Sequence, residues 1–394
     1  MYDWHLKAGP TGKFDKRWFR KSFKSWDDFV SRPTYDAWWQ AKAMQRLLAE
    51  AGSKGIEVLT VHSWFDQEDT FGPPAAYRAL EDSAGARTNY FVAGPWYHSQ
   101  WDRPGTTYGP FSLNGDTSKY FRDEILLPFF RRTLKPKSKN TTAQREAVVY
   151  ETGVHQWRTY NSWPPKKAKA ANIYLHPNGK LAFSSPTSGA DSKTTFISDP
   201  AKPVPFRQRP IPAPFDEGSG WDEWLGEDQR FVDGRPDVLT FVGAPLDKAV
   251  TITGPVRTVI RASTTGEDAD WVVKLIDVHP PETPEYSHLG GYQFMVSGDI
   301  MRGRYRNSFS APEPIKPGKV ETFNVMLPQV NHTFKKGHRI MVQVQSSWFP
   351  LYDRNPQSYV ENIHFAEPDD YSQQTHAVFH GEGVESRIEV LTLD

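Results

Sequence analysis

Two short segments hold the densest chemistry in the chain. The first, HSWFDQEDTFG, sets Asp66, Glu68 and Asp69 within four positions, directly after the β-branched run IEVLTVH (Ile56 to His62). Carboxylates this close repel one another unless a cation or a proton relieves them. Taken alone, such a loop is equally a solvated acidic turn or the anionic start of a helix, where the backbone dipole favours negative charge. The second segment, GPWYHSQW, carries His98 four residues past Gly94, at the end of TNYFVAG (Thr88 to Gly94). A lone loop histidine is usually an ordinary polar group. A carboxylate and an imidazole at the ends of successive strands can instead form an acid–base pair, the carboxylate orienting the ring and the ring moving protons. The same side chains are competent metal ligands, but no HExxH and no second histidine stands near them, so no metal and no cofactor is expected.

The elements around these loops read as a βαβ unit. Strand 56–62, a polar loop, an alanine-rich helix from Pro74 to about Ser83 and strand 88–94 follow in order. Strands so connected run parallel, with functional groups in the loops beyond their carboxyl ends. Residues 1–34 read as loops and short helices. Pro33 and Thr34 then open a helix that carries Trp38, Ala41, Met44, Leu47 and Leu48 on one face and closes at Gly52. Ser118 to about Arg132 is a further helix, with Phe121, Ile125 and Phe129 on one stripe despite Pro128. From Ala147 onward, short alternating runs such as VTITG, WVVKLIDVH and RIMVQVQSS are separated by Gly, Pro and Asp/Asn turns, the pattern of an all-β sandwich. The proline-rich stretch AKPVPFRQRPIPAPF (Ala201 to Phe215) has strand-like runs on both sides and reads as an extended crossover inside that sandwich. The expected fold class is α/β plus all-β. Residues 1–140 are expected to form the first domain, with loops and helices over 1–55 and the loop-bearing part over 56–140, and 141–394 the second.

Composition narrows the function. With 394 residues, two or three domains and a sizeable core are available. Lys+Arg and Asp+Glu are both 47, so no global field recruits nucleic acid or an anionic membrane surface. The absence of cysteine excludes disulfides, thiolate zinc sites and cysteine nucleophiles, and leaves the compartment open. No apolar run approaches the roughly 20 residues that span a bilayer, and the start MYDWHLKAGPTGKFDKRWF has no apolar signal core.

The segments WFDQEDTFG and GPWYHSQ resemble the acid and histidine loops of the α-amino-acid ester hydrolases, within the wider group of cocaine esterase, glutaryl-acylase-type enzymes and X-Pro dipeptidyl-peptidases. Upstream, YDWHL and DDFVSRPTYDAWWQ are similar to that group's cap segment and the helix leading back to the sheet. Downstream, ETGVHQWRTYNSWPP, RPDVLTF, DADWVVKLIDVHP, MRGRYRNS and GHRIMVQVQSSWFP are similar to its carboxyl-terminal jelly-roll. The resemblance implies a partial α/β-hydrolase domain with a helical cap remnant, followed by a jelly-roll β-sandwich. It implies Asp66 as triad acid, His98 as general base, and Glu68 and Asp69 as two carboxylates of a cluster that binds the ammonium of an α-amino acyl group. The activity implied is that of a serine hydrolase or acyltransferase on esters or amides of α-amino acids, β-lactam side chains included. A periplasmic or secreted location and a homo-oligomer of the complete protein are implied as well.

In that chain order the serine precedes the acid, usually at a G-x-S-x-G elbow. No G-x-S-x-G occurs here; Ser219 in EGSGW follows the histidine and sits in the β-rich region, and Ser63 lies on the acid's own strand. The resemblance places nucleophile, oxyanion hole and third cluster carboxylate upstream of residue 1. A truncated sequence, a separate chain that completes the site and a noncatalytic remnant each fit this pattern, and truncation is the expectation. This chain alone is then expected to be inactive and to expose a free strand edge and apolar surface, which a complementing amino-terminal half would cover. Two further readings concern the β-rich part: a calcium loop at Glu267 to Trp271, and a carbohydrate-type binding face built from Trp221, Trp224, Trp348 and Tyr352.

Overall fold

The strands that carry the two loops pair as the sequence suggests. In a computed structural model, described at residues 1–14, 17–18, 23–52, 56–82, 88–135, 145–282 and 287–393, β1 (Val58–Ser63) and β2 (Asn89–Gly94) run parallel, from Val58 opposite Asn89 to Ser63 opposite Gly94. The helix Gly72–Glu81 joins them. Pro73 and Pro74 fall in its first turn, where a missing N–H costs nothing, and Tyr77 and Leu80 are buried. A small hairpin, β3 (Thr107–Tyr108) with β4 (Phe111–Ser112), follows. Next, β5 (Ala147–Glu151) pairs parallel with β2, and β6 (Gln156–Tyr160) antiparallel with β5. The sheet order is β1-β2-β5-β6, so β2 is central with Phe91, Val92 and Ala93 fully buried, while β1 has a partner strand on one side only among the described residues.

The expected domain boundary at 140/141 lies outside the described residues, as does most of the basic stretch around it. The first sheet continues past that point to Tyr160. The segment Ser118–Arg132 is helical as expected, from Thr117 to Leu134, with a π-turn over Phe121–Leu126 just before Pro128. The wider turn accommodates the proline without breaking the element, and Phe121, Ile125 and Phe129 stay buried.

The helix expected from Pro33 to Gly52 is two helices, Ala37–Gln40 and Met44–Gly52, separated by a turn. Asp36 rather than Thr34 caps the first, accepting the N–H groups of Trp38 and Trp39. Lys42, in the turn, sits 3.8 Å over the Trp38 ring. Met44 and Leu47, expected on a buried face, are exposed. The amino-terminal residues pack on the β-rich part: Tyr2 donates to the carbonyl of Pro203 (2.6 Å), and Asn362 donates to the carbonyl of Val30 (2.7 Å).

Among the described residues, eleven strands build the second part as a β-sandwich. They are β7 (Lys169–His176), β8 (Lys180–Ala182), β9 (Lys193–Ser198), β10 (Val238–Val242), β11 (Val250–Thr264), β12 (Asp270–Val278), β13 (Gln293–Arg302), β14 (Glu321–Phe334), β15 (Arg339–Gln345), β16 (Gln374–Phe379) and β17 (Arg387–Leu393). The hydrogen-bonded order is β13-β12-β15-β10-β8-β7-β17-β11-β16-β9, with β14 added on β11. Ile260, Trp271, Phe323, Val325, Val342 and Val344 are fully buried in the core. The proline-rich crossover is an ordered strap, with Val204, Phe206 and Ile211 buried and Phe206 and Val204 bonded through their backbones to Phe349. Thr152, just past β5, exchanges backbone hydrogen bonds with Asn331 and Thr333 of β14, which ties the first sheet to the sandwich. Among the described residues, no helix is long and apolar enough to cross a membrane.

Candidate active site

Backbone bonds beyond the strands bring the two loops side by side. Trp64 N–H donates to the Gly94 carbonyl (2.9 Å) and Phe65 N–H to the Trp96 carbonyl (3.1 Å), so the parallel ladder runs two residues past β1 and β2. Two indoles anchor the ends: Trp64 donates to the Tyr150 carbonyl (2.8 Å) and the fully buried Trp96 to Thr117 Oγ1 (3.0 Å). Gly94 is required here, because an added Cβ would lie 2.4 Å from the Trp96 ring. Just past His98, Ser99 adopts φ 63°, a left-handed conformation rare for a non-glycine residue and common where a loop must re-aim a functional side chain.

Asp66 and His98 meet at the end of this ladder. Nδ1 of His98 lies 3.2 Å from both carboxylate oxygens of the buried Asp66. Asp66 Oδ1 also accepts the N–H groups of Glu68 and Asp69, each at 2.9 Å, which fixes the carboxylate. Gln67 Oε1 accepts the His98 N–H (3.1 Å). Desolvation pulls the imidazole pKa down, but the Asp66 charge and hydrogen bond, with Glu68 and Asp69 behind them, outweigh it and raise His98 above its ordinary value. A carboxylate on Nδ1 fixes that nitrogen as the protonated one in the neutral ring, leaving the lone pair on Nε2. Among the described residues nothing hydrogen-bonds to Nε2, and the ring is 39% exposed. The pair can therefore accept a proton at an open face.

The other two carboxylates lie beside the pair. Asp69 Oδ2 is 3.7 Å from His98 Nδ1, and its side chain is largely exposed. Glu68 Oε1 accepts from Trp221 Nε1 at 3.3 Å. Asp66, Gln67 and Thr70 also border a cavity of about 240 Å³ whose far wall is sandwich, including Trp348, Tyr352 and Asp299. Burial pushes the Asp299 carboxyl up to about 6.

Other candidates from the sequence fall elsewhere. The buried hydroxyl of Ser219 accepts from Trp221 N–H, and the Ser219 carbonyl accepts from Arg207. The calcium reading at Glu267 to Trp271 does not hold, because Asp268 is paired with Arg304 and Asp270 with Arg302, so arginines already balance those charges. The aromatic binding face does not hold either. Trp224 and Trp348 are buried and packed on one another, Tyr352 stacks on Trp348, and Trp221 caps Glu68. Three contacts escaped sequence reasoning: Gln67 to His98, Gln67 to Asp222 (3.2 Å) and Glu68 to Trp221. The one local signal was a glutamine set between the acids of the loop.

Comparison with known proteins finds matches for both parts of the chain. Residues 139–389 match the family model of the X-Pro dipeptidyl-peptidase C-terminal non-catalytic domain, and residues 5–100 match that of the X-Pro dipeptidyl-peptidase of the S15 family. The chain belongs to the family of the X-Pro dipeptidyl-peptidase C-terminal non-catalytic domain, whose model spans more than half of it. Asp66 and His98 both lie in the part matched by the S15 model. The chain is also similar to cocaine esterase of Rhodococcus sp. (strain MB1 Bresler), 28% identical over 342 residues that make up 84% of this chain and 54% of that protein. A solved aminopeptidase from the marine sediment archaeon Thaumarchaeota archaeon matches with 41% identity and a TM-score of 0.95, over 100% of this chain and 64% of that one. A selenomethionine-labelled α-amino acid ester hydrolase matches with 41% identity and a TM-score of 0.93, over 99% and 64%. The chain thus spans about half the length of the curated relatives it matches.

Proposed function

We propose that Asp66 and His98 are the acid and base of a Ser-His-Asp hydrolase whose serine is supplied by a segment outside this sequence, and that its substrates are esters or amides of α-amino acids. The observation that carries the reading is the His98 ring, with Nδ1 against Asp66 and Nε2 open. In the reaction the serine hydroxyl adds to the acyl carbon while Nε2 takes its proton. The imidazolium, stabilised by Asp66, then returns the proton to the departing alcohol or amine, leaving an acyl-enzyme that water or an amine releases by the same steps. The half-open sheet supports a supplied segment. Thr60 and Val61 of β1, which has a partner strand on one side only among the described residues, border with Met44 and Phe71 a cavity of about 1070 Å³, and Phe71 is 75% exposed. Such an edge is ordinarily covered.

Glu68 and Asp69 supply the anionic side of the site. An α-ammonium leaving water needs close carboxylates, and crowded carboxylates are relieved by such a cation. β-Lactam side chains bearing a free α-amino group belong to the same substrate class. In the completed enzyme, Glu68→Gln with Asp69→Asn is expected to raise KM for a phenylglycine ester at least tenfold, with little change for the des-amino analogue. Equal losses on both substrates would remove the ammonium role.

A further inference from the structure

A second cluster of titratable side chains lies at the seam between the first sheet and the sandwich, in a cavity that shares only Phe65 with the Asp66 pocket. The cavity is about 440 Å³ and is walled by aromatics from both parts, Phe65, Tyr108 and Phe111 on one side and Phe294 on the other. Its polar wall includes Asp277 on β12, His279 just past it, His332 on β14 and His338 before β15, and Glu282 and Lys335 also line the cavity. The antiparallel register pairing Val278 with Arg339 sets residue 279 next to residue 338, and the two imidazole rings lie 4.6 Å apart.

Asp277, His279 and His338 each offer one ligand atom, and these atoms all lie within 4.8 Å of one another. Asp277 Oδ1 and His338 Nδ1 are 2.8 Å apart, a hydrogen bond that would open to roughly 3.3 Å when a tetrahedral ion roughly 2.0–2.1 Å from each takes the proton's place. His332 holds the carboxylate from behind. Its Nε2 is 3.1 Å from Asp277 Oδ2 and its Nδ1 is 2.7 Å from Thr152 Oγ1, the arrangement that orients a ligating carboxylate from outside the coordination sphere. A self-contained Asp–His network would account for His332 and His338 but not for the other two imidazoles on the cavity. Among the described residues the His279 ring makes no hydrogen bond, and the buried Nδ1 of His155 has no partner.

We propose that this cluster binds one divalent transition-metal ion, with Asp277, His279 and His338 as ligands, His332 as the orienting residue, and a fourth position open to the cavity. Two imidazoles among three ligands favour a borderline ion such as zinc over calcium or magnesium, which take oxygen. On binding, the ion takes the place of the proton shared between His338 and Asp277, and that proton passes to solvent. The open position, facing an aromatic-walled cavity, has room for water or a small donor ligand.

The full chain, stripped with a chelator and desalted, would be titrated with zinc chloride, reading bound zinc by mass spectrometry and the thermal midpoint in parallel. The expected result is one zinc retained at this site with a raised midpoint. His279→Ala and Asp277→Asn should each weaken binding at least tenfold, whereas His98→Ala, which removes the other Asp–His cluster, should leave it unchanged. Asp277 supports two buried imidazoles, so His279→Ala, on a half-buried ring, is the deciding variant, with circular dichroism confirming that it folds. No zinc on the wild-type chain, or zinc lost in His98→Ala but kept in His279→Ala, would overturn the site.

Discussion

His62 gives a sharp test of how the strand under the site is held. It sits on β1, four residues before Asp66, 2% exposed, and among the described residues neither ring nitrogen has a hydrogen-bond partner. Its ring packs edge-on to Trp64 (5.0 Å) and stacked on Phe91 (6.1 Å), and burial lowers its pKa from 6.5 to about 3. Between those two values the unfolded chain binds a proton that the folded chain refuses. Stability therefore rises with pH across the window and is lost as pH falls from 6.5 toward 3. At about 1.4 kcal/mol per pH unit, the 1.5 units from 6.5 to pH 5 cost about 2 kcal/mol, a large share of an ordinary domain's stability. His62→Phe keeps the ring and removes the titration. Urea unfolding at pH 7 and pH 5, followed by tryptophan fluorescence, should show the wild-type chain losing about 2 kcal/mol more than the variant over that step. His376, also lowered to about 3, is present in both proteins and cancels. An equal loss in both would refute a neutral, buried His62.

Asp66→Asn should bring the raised His98 pKa down, measured by NMR titration on this chain alone, and an unmoved titration would separate the two residues. A raised folded-state pKa stabilises below the unfolded value and ceases to as pH rises through the folded one, so the same variant should lose stability at pH 5.5 rather than at pH 9. In the completed enzyme it should lower kcat about 10⁴-fold with little change in KM, through loss of the productive tautomer. Asp268→Asn leaves the buried Arg304 guanidinium without its carboxylate and should cost about 3–5 kcal/mol by chemical denaturation, much of it recovered when Arg304→Met is added.

What the sequence revealed follows from what is local. The two loops were legible because β-branched runs end in Asp66 and His98 neighbourhoods rich in polar residues, and a βαβ connection leaves few alternatives for where they go. Around Trp38 the apolar spacing continues through Ala41, which implies a single helix. The break comes from the Asp36 cap and the turn at Lys42, which periodicity does not register. The membership of β5 and β6 in the first sheet depends on parallel pairing with β2, for which nothing in AVVYET speaks. Gln67 to Asp222 and Glu68 to Trp221 bridge more than 150 positions, and the His279–His338 pair exists only through strand register, so neither could be read from spacing.

The most direct test of the central claim is complementation. Hydrolysis of phenylglycine methyl ester would be followed with this chain alone, with a supplied amino-terminal hydrolase segment containing the G-x-S-x-G elbow, and with the two combined. The account predicts turnover only in the combination, abolished by His98→Ala. Turnover by this chain alone, or a combination whose activity survives His98→Ala, would contradict it.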